Sequence, residues 1–375
     1  MATGEPTLLH LADHEGHVCI SDSEEGPFML TADIDLLSDC ETPFDVMREL
    51  QDVDVFSTVS AMLKTSRKKS IVHSSLTTLP FSPATLRDCS LWMEHMRHAT
   101  AGMIALKMPA LYPVVKALSL VGLDSVVTKP SSLFTTRPTY YMADHRSVLT
   151  EDTMPYPHTD ALDFELELCA VIVKEIRDAT PEDAAAAIGG FILMNDFSCR
   201  DSQLPEMRAG LGIPASKNCG TALAKTVAVG KPGAIPALIE SGAVYGQVAV
   251  KSGSETRAYS GTSAGMTFSV AETIACISSH SVLREGDVIG LGTIPGCSVL
   301  ETDRAWLKVG DVVAMETKPC LGSLRNVVGD RVAEVDWRYE PLAKQGTRRH
   351  FMALVVIPAI INIILALIAY KVIFG

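Results

Sequence analysis

The chain has no C-x-x-C pair, and its nine cysteines (Cys19, Cys40, Cys89, Cys169, Cys199, Cys219, Cys276, Cys297 and Cys320) stand singly. A disulfide scaffold and a structural zinc site are disfavoured, because both rely on paired spacings. The first residues lack a signal-peptide pattern, and a reducing compartment with free thiols is expected. Excess positive charge is lacking too: 32 Lys+Arg against 44 Asp+Glu leave a formal net charge of −12. That balance argues against nucleic acid as a general partner, although a local cationic cluster could still hold a small anion. No internal repeat and no low-complexity tract stands out.

Charge is missing altogether from the twenty residues Phe351–Tyr370. At about 1.5 Å per residue this run matches the thickness of a bilayer core. Arg348, Arg349 and His350 precede it, Lys371 follows, and Pro358 and Asn362 are tolerable in a membrane helix. An apolar helix docked on a soluble core is the alternative, but such helices normally carry a polar stripe. The sequence therefore predicts a single C-terminal transmembrane anchor over 351–374, with a polar basic tether at 331–350. The flanking arginines favour a cytosolic body for the rest of the chain, and the short, charge-poor far end suits a mitochondrial outer, peroxisomal or endoplasmic-reticulum membrane.

The length of 375 residues, with 47% hydrophobic and 20% charged, suits one large globular domain plus an accessory one. Residues 1–84 read as a small N-terminal domain, with helices near Phe44–Leu50 and Val55–Lys64. The segment Leu79-Pro80-Phe81-Ser82-Pro83 reads as a linker. Residues 85–330 hold many short apolar runs separated by Gly, Pro and Asp, among them Phe191–Met194, Thr226–Val229, Ala243–Val250, Asp287–Gly292 and Asp311–Glu316. This pattern predicts a β-rich α+β core. A helix is signalled over 181–188, with Thr180 as cap, Pro181 at the first turn, Asp183 completing a capping box, and Gly189-Gly190 ending it. A second helix runs from Ser269 or Val270 to Ser278.

The chemistry starts in Asp163-Phe164-Glu165-Leu166-Glu167-Leu168, followed by the apolar run Cys169–Val173. In a strand Glu165 and Glu167 point the same way. Two like charges on a buried face need a cation or protons, and a hard ion such as Mg²⁺ or Ca²⁺ takes carboxylate oxygens. A wet strand edge is the competing explanation. Further on, an apolar strand ends in Asn195-Asp196-Phe197-Ser198-Cys199-Arg200-Asp201, where Asp196 can add a carboxylate and Arg200 can hold an anionic substrate.

These stretches, with Pro155-Tyr156-Pro157, Ser216-Lys217-Asn218, Gly292-Thr293-Ile294-Pro295-Gly296 and Leu321-Gly322-Ser323-Leu324-Arg325-Asn326, resemble the fumarylacetoacetate hydrolase family over about residues 85–330. The resemblance implies a fumarylacetoacetase-like β-roll core, a homodimer, and Mg²⁺ or Ca²⁺ held by Asp88, Glu165, Glu167 and Asp196. It implies His95, seven residues after Asp88, as general base oriented by Glu301. Lys217 would offset charge on the attacked carbonyl, with Arg200, Gln203 and Thr293 binding a small anionic keto acid. The implied activity is metal-dependent hydrolysis of a C–C bond in a β-diketo acid, fumarylacetoacetate or acylpyruvate-like. A keto-acid decarboxylase or tautomerase on the same site is the alternative, and a non-catalytic interaction protein is the alternative of another class. The chain departs from the family pattern at Phe197 (often Trp), Cys199 (often Ala) and Cys219 (often Phe). Ser90 and Met207 stand where fumarylacetoacetases carry tyrosines.

Overall fold

Glu165 and Glu167 lie in the middle of a sheet, not at its edge. The structure, a computed structural model, describes residues 6–66, 69–123 and 125–332, which fall in one compact unit. In chain order the strands are β1 (Leu8–His14), β2 (His17–Ser21), β3 (Met29–Leu30), β4 (Thr85–Cys89), β5 (Tyr140–Ala143), β6 (Thr153–Tyr156), β7 (Leu162–Asp163), β8 (Glu165–Ile172) and β9 (Ile188–Asp196). They continue as β10 (Ser198–Cys199), β11 (Thr221–Leu223), β12 (Thr226–Gly230), β13 (Tyr245–Ser252), β14 (Glu255–Thr262), β15 (Asp287–Ser298), β16 (Val312–Lys318) and β17 (Ser323–Arg331). Ten form one sheet in the order β3-β2-β1-β12-β9-β8-β15-β4-β5, with β11 also on β9. A second sheet runs β14-β13-β16-β17-β6, and β7 pairs with β10.

β8 is antiparallel to β9 on one side and to β15 on the other, and every residue from Glu165 to Ile172 is buried. A wet edge is thereby excluded, as the unbroken apolar run after Glu167 suggested. β4 runs parallel to β15 and sets Asp88 opposite Gly290. Past Gly290 the β8–β15 register shifts twice, around Thr293 and before Ser298; such irregularities re-aim side chains. The first strands join the same sheet: β1 pairs with β12 from Leu8↔Gly230 to Ala12↔Thr226.

The expected helices form at Pro43–Glu49, Val53–Thr65 and Val270–Ser278, the first and third with full capping boxes. The helix after Thr180 starts as expected, with Thr180 Oγ1 accepting from Asp183 N at 3.2 Å, but covers only Pro181–Ala185. Gly189 and Gly190 belong to β9 and do not terminate it. A Cβ at Gly189 would come within 2.3 Å of Val173, and one at Gly190 within 2.7 Å of Val227. Close packing of the strand on its neighbours, not a helix stop, requires these glycines.

The expected transmembrane helix requires correction. No helix among the described residues is long and apolar enough to cross a membrane. The longest, Met93–Lys107, has 15 residues and carries Glu94, His95, Arg97, His98 and Lys107, whereas a span needs about 20 mostly apolar residues. The run Phe351–Tyr370, on which the anchor, the membrane partner and the membrane location were predicated, lies outside the described residues. What the structure supports is the mixed α/β fold without the anchor.

Candidate active site

Three strands converge to bring acids together. Asp88 comes from β4, Glu167 from β8 and Asp196 from the end of β9. All three are buried, and each offers a carboxylate oxygen within 4.8 Å of the others. Thr293 Oγ1, across from Glu167 on β15, donates to Glu167 Oε1 at 3.2 Å. Glu167 Oε2 and Asp88 Oδ1 are buried with no hydrogen-bond partner. Burial raises the Asp88 carboxyl, and burial together with Asp88 holds Glu167 well above the carboxylate range. Burial also pushes Asp196 up to about 7, with Asp88 adding to the shift and Lys217 opposing it.

Glu165 has a different environment. Arg200 Nη2 donates to its Oε1 at 2.6 Å, and Lys217 Nζ binds its Oε2. Burial would raise this carboxyl, but Arg200, Lys217 and His95 together hold it well below the usual range. Lys217 also binds Asp196 Oδ2 and donates to Ser198 Oγ at 2.8 Å. Burial works against its charge, yet Asp196 and Glu165 raise the ammonium above its ordinary value. Arg200 is 1% exposed. Its Nε donates to Asp163 Oδ2 at 2.9 Å and its Nη1 to Gln203 Oε1 at 3.0 Å.

His95, buried on the helix Met93–Lys107, sits between two acids. Its Nδ1 lies 3.1 Å from Glu301 Oε2, at ion-pair distance but without the angle of a formed hydrogen bond, and its Nε2 lies 3.5 Å from Glu165 Oε1. Burial disfavours the imidazolium, but the Glu301 and Glu165 carboxylates outweigh it and raise His95 above its ordinary value. Ser298 Oγ donates to Glu301 at 2.9 Å. The loop that carries Glu301 presses on the helix at Gly102, where a Cβ would meet the Leu300 carbonyl at 2.2 Å.

The expected residues thus assemble, but in two groups. Asp88, Glu167, Asp196 and Thr293 form the acid cluster, while Glu165, Lys217, Arg200, Gln203, His95 and Glu301 form a charge-paired network beside it. Two further members had no assigned role in the sequence. Asp163 accepts from Arg200 and also from Val299 N at 2.7 Å and Leu300 N at 2.9 Å, tying the guanidinium to the Glu301 loop. Its spacing with Glu165 and Glu167 is a strand period of two, a signal that could have found it. The Tyr141 hydroxyl donates to Asp196 Oδ2 at 2.8 Å, a contact between distant residues with no local signal.

The donors fit a hard divalent ion. Five buried carboxyls (Asp88, Asp163, Glu165, Glu167, Asp196) face two buried cations, Arg200 and Lys217. One oxygen of Asp88 and one of Glu167 are left without a hydrogen-bond partner, and oxygen-only donors suit Mg²⁺, Ca²⁺ or Mn²⁺ over softer metals.

Residues 118–329 match the family model for the fumarylacetoacetate (FAA) hydrolase C-terminal domain. That span contains Glu165, Glu167, Asp196, Arg200, Lys217, Thr293 and Glu301, whereas Asp88 and His95 precede it. The chain is 29% identical over 173 residues to the oxaloacetate tautomerase YisK of Bacillus subtilis, covering 46% of this chain and 53% of that protein. It is 33% identical over 178 residues to the human mitochondrial oxaloacetate tautomerase FAHD2A, covering 46% and 52%. It is 29% identical over 181 residues to a 2,4-didehydro-3-deoxy-L-rhamnonate hydrolase of Sphingomonas, covering 47% and 57%. The matches span about half the length of these relatives. Among solved structures, a probable 2-hydroxyhepta-2,4-diene-1,7-dioate isomerase from Mycobacterium abscessus superposes with a TM-score of 0.56 at 19% identity, over 87% of this chain and 99% of that one. A fumarylacetoacetate hydrolase from Exiguobacterium antarcticum superposes with a TM-score of 0.55 at 19% identity, over 87% and 100%. These two establish likeness of fold. With more than half of its length matching the family model, the chain belongs to the fumarylacetoacetate hydrolase family.

Proposed function

We propose that the chain is a metal-dependent enzyme of small anionic keto acids whose central step moves a proton on the carbon beside a carbonyl, as in a keto-acid tautomerase. The observation that carries this reading is the adjacency of two devices. An acid cluster of Asp88, Glu167 and Asp196, with a bare oxygen on each of the first two, lies beside a buried base pair, His95 and Glu301, with Glu165 between them 3.5 Å from His95. Similarity to oxaloacetate tautomerases over part of their length supports the same class.

A divalent ion held by Asp88, Glu167 and Asp196 would supply Lewis-acid polarisation of a substrate oxygen and offset developing negative charge. Thr293 fixes one oxygen of Glu167 and leaves the other free to ligate. Glu165 supports the cluster through Lys217, and would join as a fourth ligand only if Lys217 moved aside. His95 takes the substrate proton, with Glu301 orienting the ring and stabilising its charge. A histidine raised above its ordinary value holds that proton long enough to return it to another atom, which tautomerisation requires. The Gln203 amide nitrogen, whose partner oxygen accepts from Arg200, is suited to the substrate's anionic oxygens, whereas Lys217 would turn to them only by giving up one of its three contacts.

Hydrolysis of a β-diketo acid is the second reading. The His95–Glu301 pair favours it, because the same base can take a proton from water. The test is to assay the purified chain, with Mg²⁺ or Mn²⁺ and with chelator, on enol-oxaloacetate and on acylpyruvates. Metal-dependent enol-to-keto conversion that is lost in His95→Ala is expected. Acylpyruvate cleavage with no enol conversion would favour the second reading, and metal binding without turnover of either class would overturn both.

A further inference from the structure

His95 and Glu301 come from distant parts of the chain, yet both are referenced to one strand outside the main sheet. β14 pairs along its whole length with β13, from Tyr245↔Thr262 to Ser252↔Glu255. Its Gly261 lies hard against β15: a β-carbon there would sit 1.7 Å from the Pro295 carbonyl oxygen. Just past β14, the Ser263 carbonyl accepts from Trp92 Nε1 at 3.0 Å. Trp92 is 1% exposed and caps the start of the helix Met93–Lys107, which carries His95.

The other half of β14 holds the loop of Glu301. Tyr259 is buried, and its hydroxyl donates to the Asp303 carboxylate at 3.0 and 3.2 Å. Arg257 Nη1 donates to the Tyr259 hydroxyl at 2.9 Å and also to the Ala305 carbonyl. Its Nη2 lies 3.7 Å from the buried Asp311. Asp303 in turn accepts from Ala305 N at 3.0 Å. The Tyr259 ring stands edge-on to Phe164, with centroids 5.2 Å apart.

We propose that Tyr259 and Arg257 are positioning residues: through Asp303 they hold Glu301 at the His95 ring, with β14 as the frame shared by loop and helix. Asp163 ties down the loop at Val299 and Leu300, before Glu301. The Tyr259–Asp303 bond ties it down after Glu301. A loop anchored at one end pivots, whereas anchors on both sides hold a side chain to the fraction of an ångström that a working site needs. Glu301 Oε2 lies 3.1 Å from His95 Nδ1, and misplacement by about 1 Å can cost about 10²-fold in rate. The kinetic consequence rests on the reading of His95 and Glu301 as the base pair, whereas the positioning itself does not.

The test uses the full chain with Mn²⁺. Tyr259→Phe keeps the ring and loses the hydroxyl, and Asp303→Ala removes a side chain that is 45% exposed. In each variant kcat should fall by about ten- to a hundredfold, with KM and Mn²⁺ affinity unchanged. The acidic limb of kcat/KM should move to lower pH, because the Glu301 carboxylate raises His95. Added to Glu301→Gln, Tyr259→Phe should cause no further loss, since residues that act through one another are not additive. Crystal structures of both variants should show Glu301 withdrawn from its 3.1 Å separation. Glu301 in its native place in both overturns the proposal whatever the activity, and so does a fully additive loss in the double variant. If the unsubstituted chain turns over neither substrate class, the functional reading fails, and the separation seen in the crystals alone decides the positioning role.

Discussion

Gly290 backs directly onto Asp88: a β-carbon at 290 would lie 2.5 Å from Asp88 Oδ1. That oxygen is one of the two bare carboxylate atoms of the cluster, so β15 approaches it as closely as a strand without a side chain allows. Gly290→Ala should push Asp88 out of place and cost about 1–3 kcal/mol of stability through overpacking. Mn²⁺ affinity should fall in the same variant. Urea unfolding and metal titration check the two effects, and native metal affinity would show that Asp88 is not a ligand.

Glu167→Gln separates charge from shape. Because burial and Asp88 hold Glu167 well above the carboxylate range, the neutral amide should change the metal-free stability by less than about 1 kcal/mol, as for a near-isosteric change outside the named destabilising mechanisms. Divalent-metal affinity should drop by at least about tenfold, since a hard cation loses an anionic ligand. Calorimetric titration with Mg²⁺ and Mn²⁺ measures it; undiminished affinity would remove Glu167 from the ligand set.

The acid cluster also makes the metal-free protein sensitive to pH. Asp196 lies near 7 in the folded chain, against about 3.9 when unfolded. A carboxyl raised by folding contributes stability that is fully present below its unfolded value and lost as pH rises through the folded one. The contribution from Asp196 should therefore fade between about pH 4 and pH 7. Thermal unfolding with chelator should show a smaller loss across this window in Asp196→Asn than in the native chain. Equal slopes would contradict the assignment.

Glu301 acts on His95 through charge, and the sign of its removal is fixed. Burial alone would lower the imidazole, and the Glu301 carboxylate is the largest influence raising it. Glu301→Gln should move the acidic limb of the kcat/KM profile to lower pH. It should also reduce the rate by about 10²-fold, within the range for impaired general-base catalysis. Metal affinity should be retained. A reduced rate with the limb unmoved would mean that Glu301 only supports the loop.

Much of this site was legible because its residue types sit in short local patterns. The glutamates of β8 and the Asp196 that ends an apolar strand mark buried carboxylates wherever the strand lies. Which carboxylate would be saturated by cations was not legible. Arg200 reaches Asp163 and Glu165 across 37 and 35 positions of chain, and a sequence does not tell which way such a side chain turns. Gly189-Gly190 misled for a related reason. A glycine pair after a helix pattern reads as a stop, and the steric demand of Val173 and Val227 exists only once the sheet is assembled. The apolar run at 351–370 reads as an anchor from its length, its lack of charge or polar stripe and its basic flanks, and it lies outside the described residues.

The pairing of β1 with β12 determines how this chain can be shortened. Removing everything before residue 84 would strip the partner from Thr226–Gly230 and leave its backbone groups facing solvent along five positions. An unprotected border of that kind recruits other chains. A chain trimmed this way would keep Asp88, Glu167, Asp196 and His95, yet it would be a template for self-association.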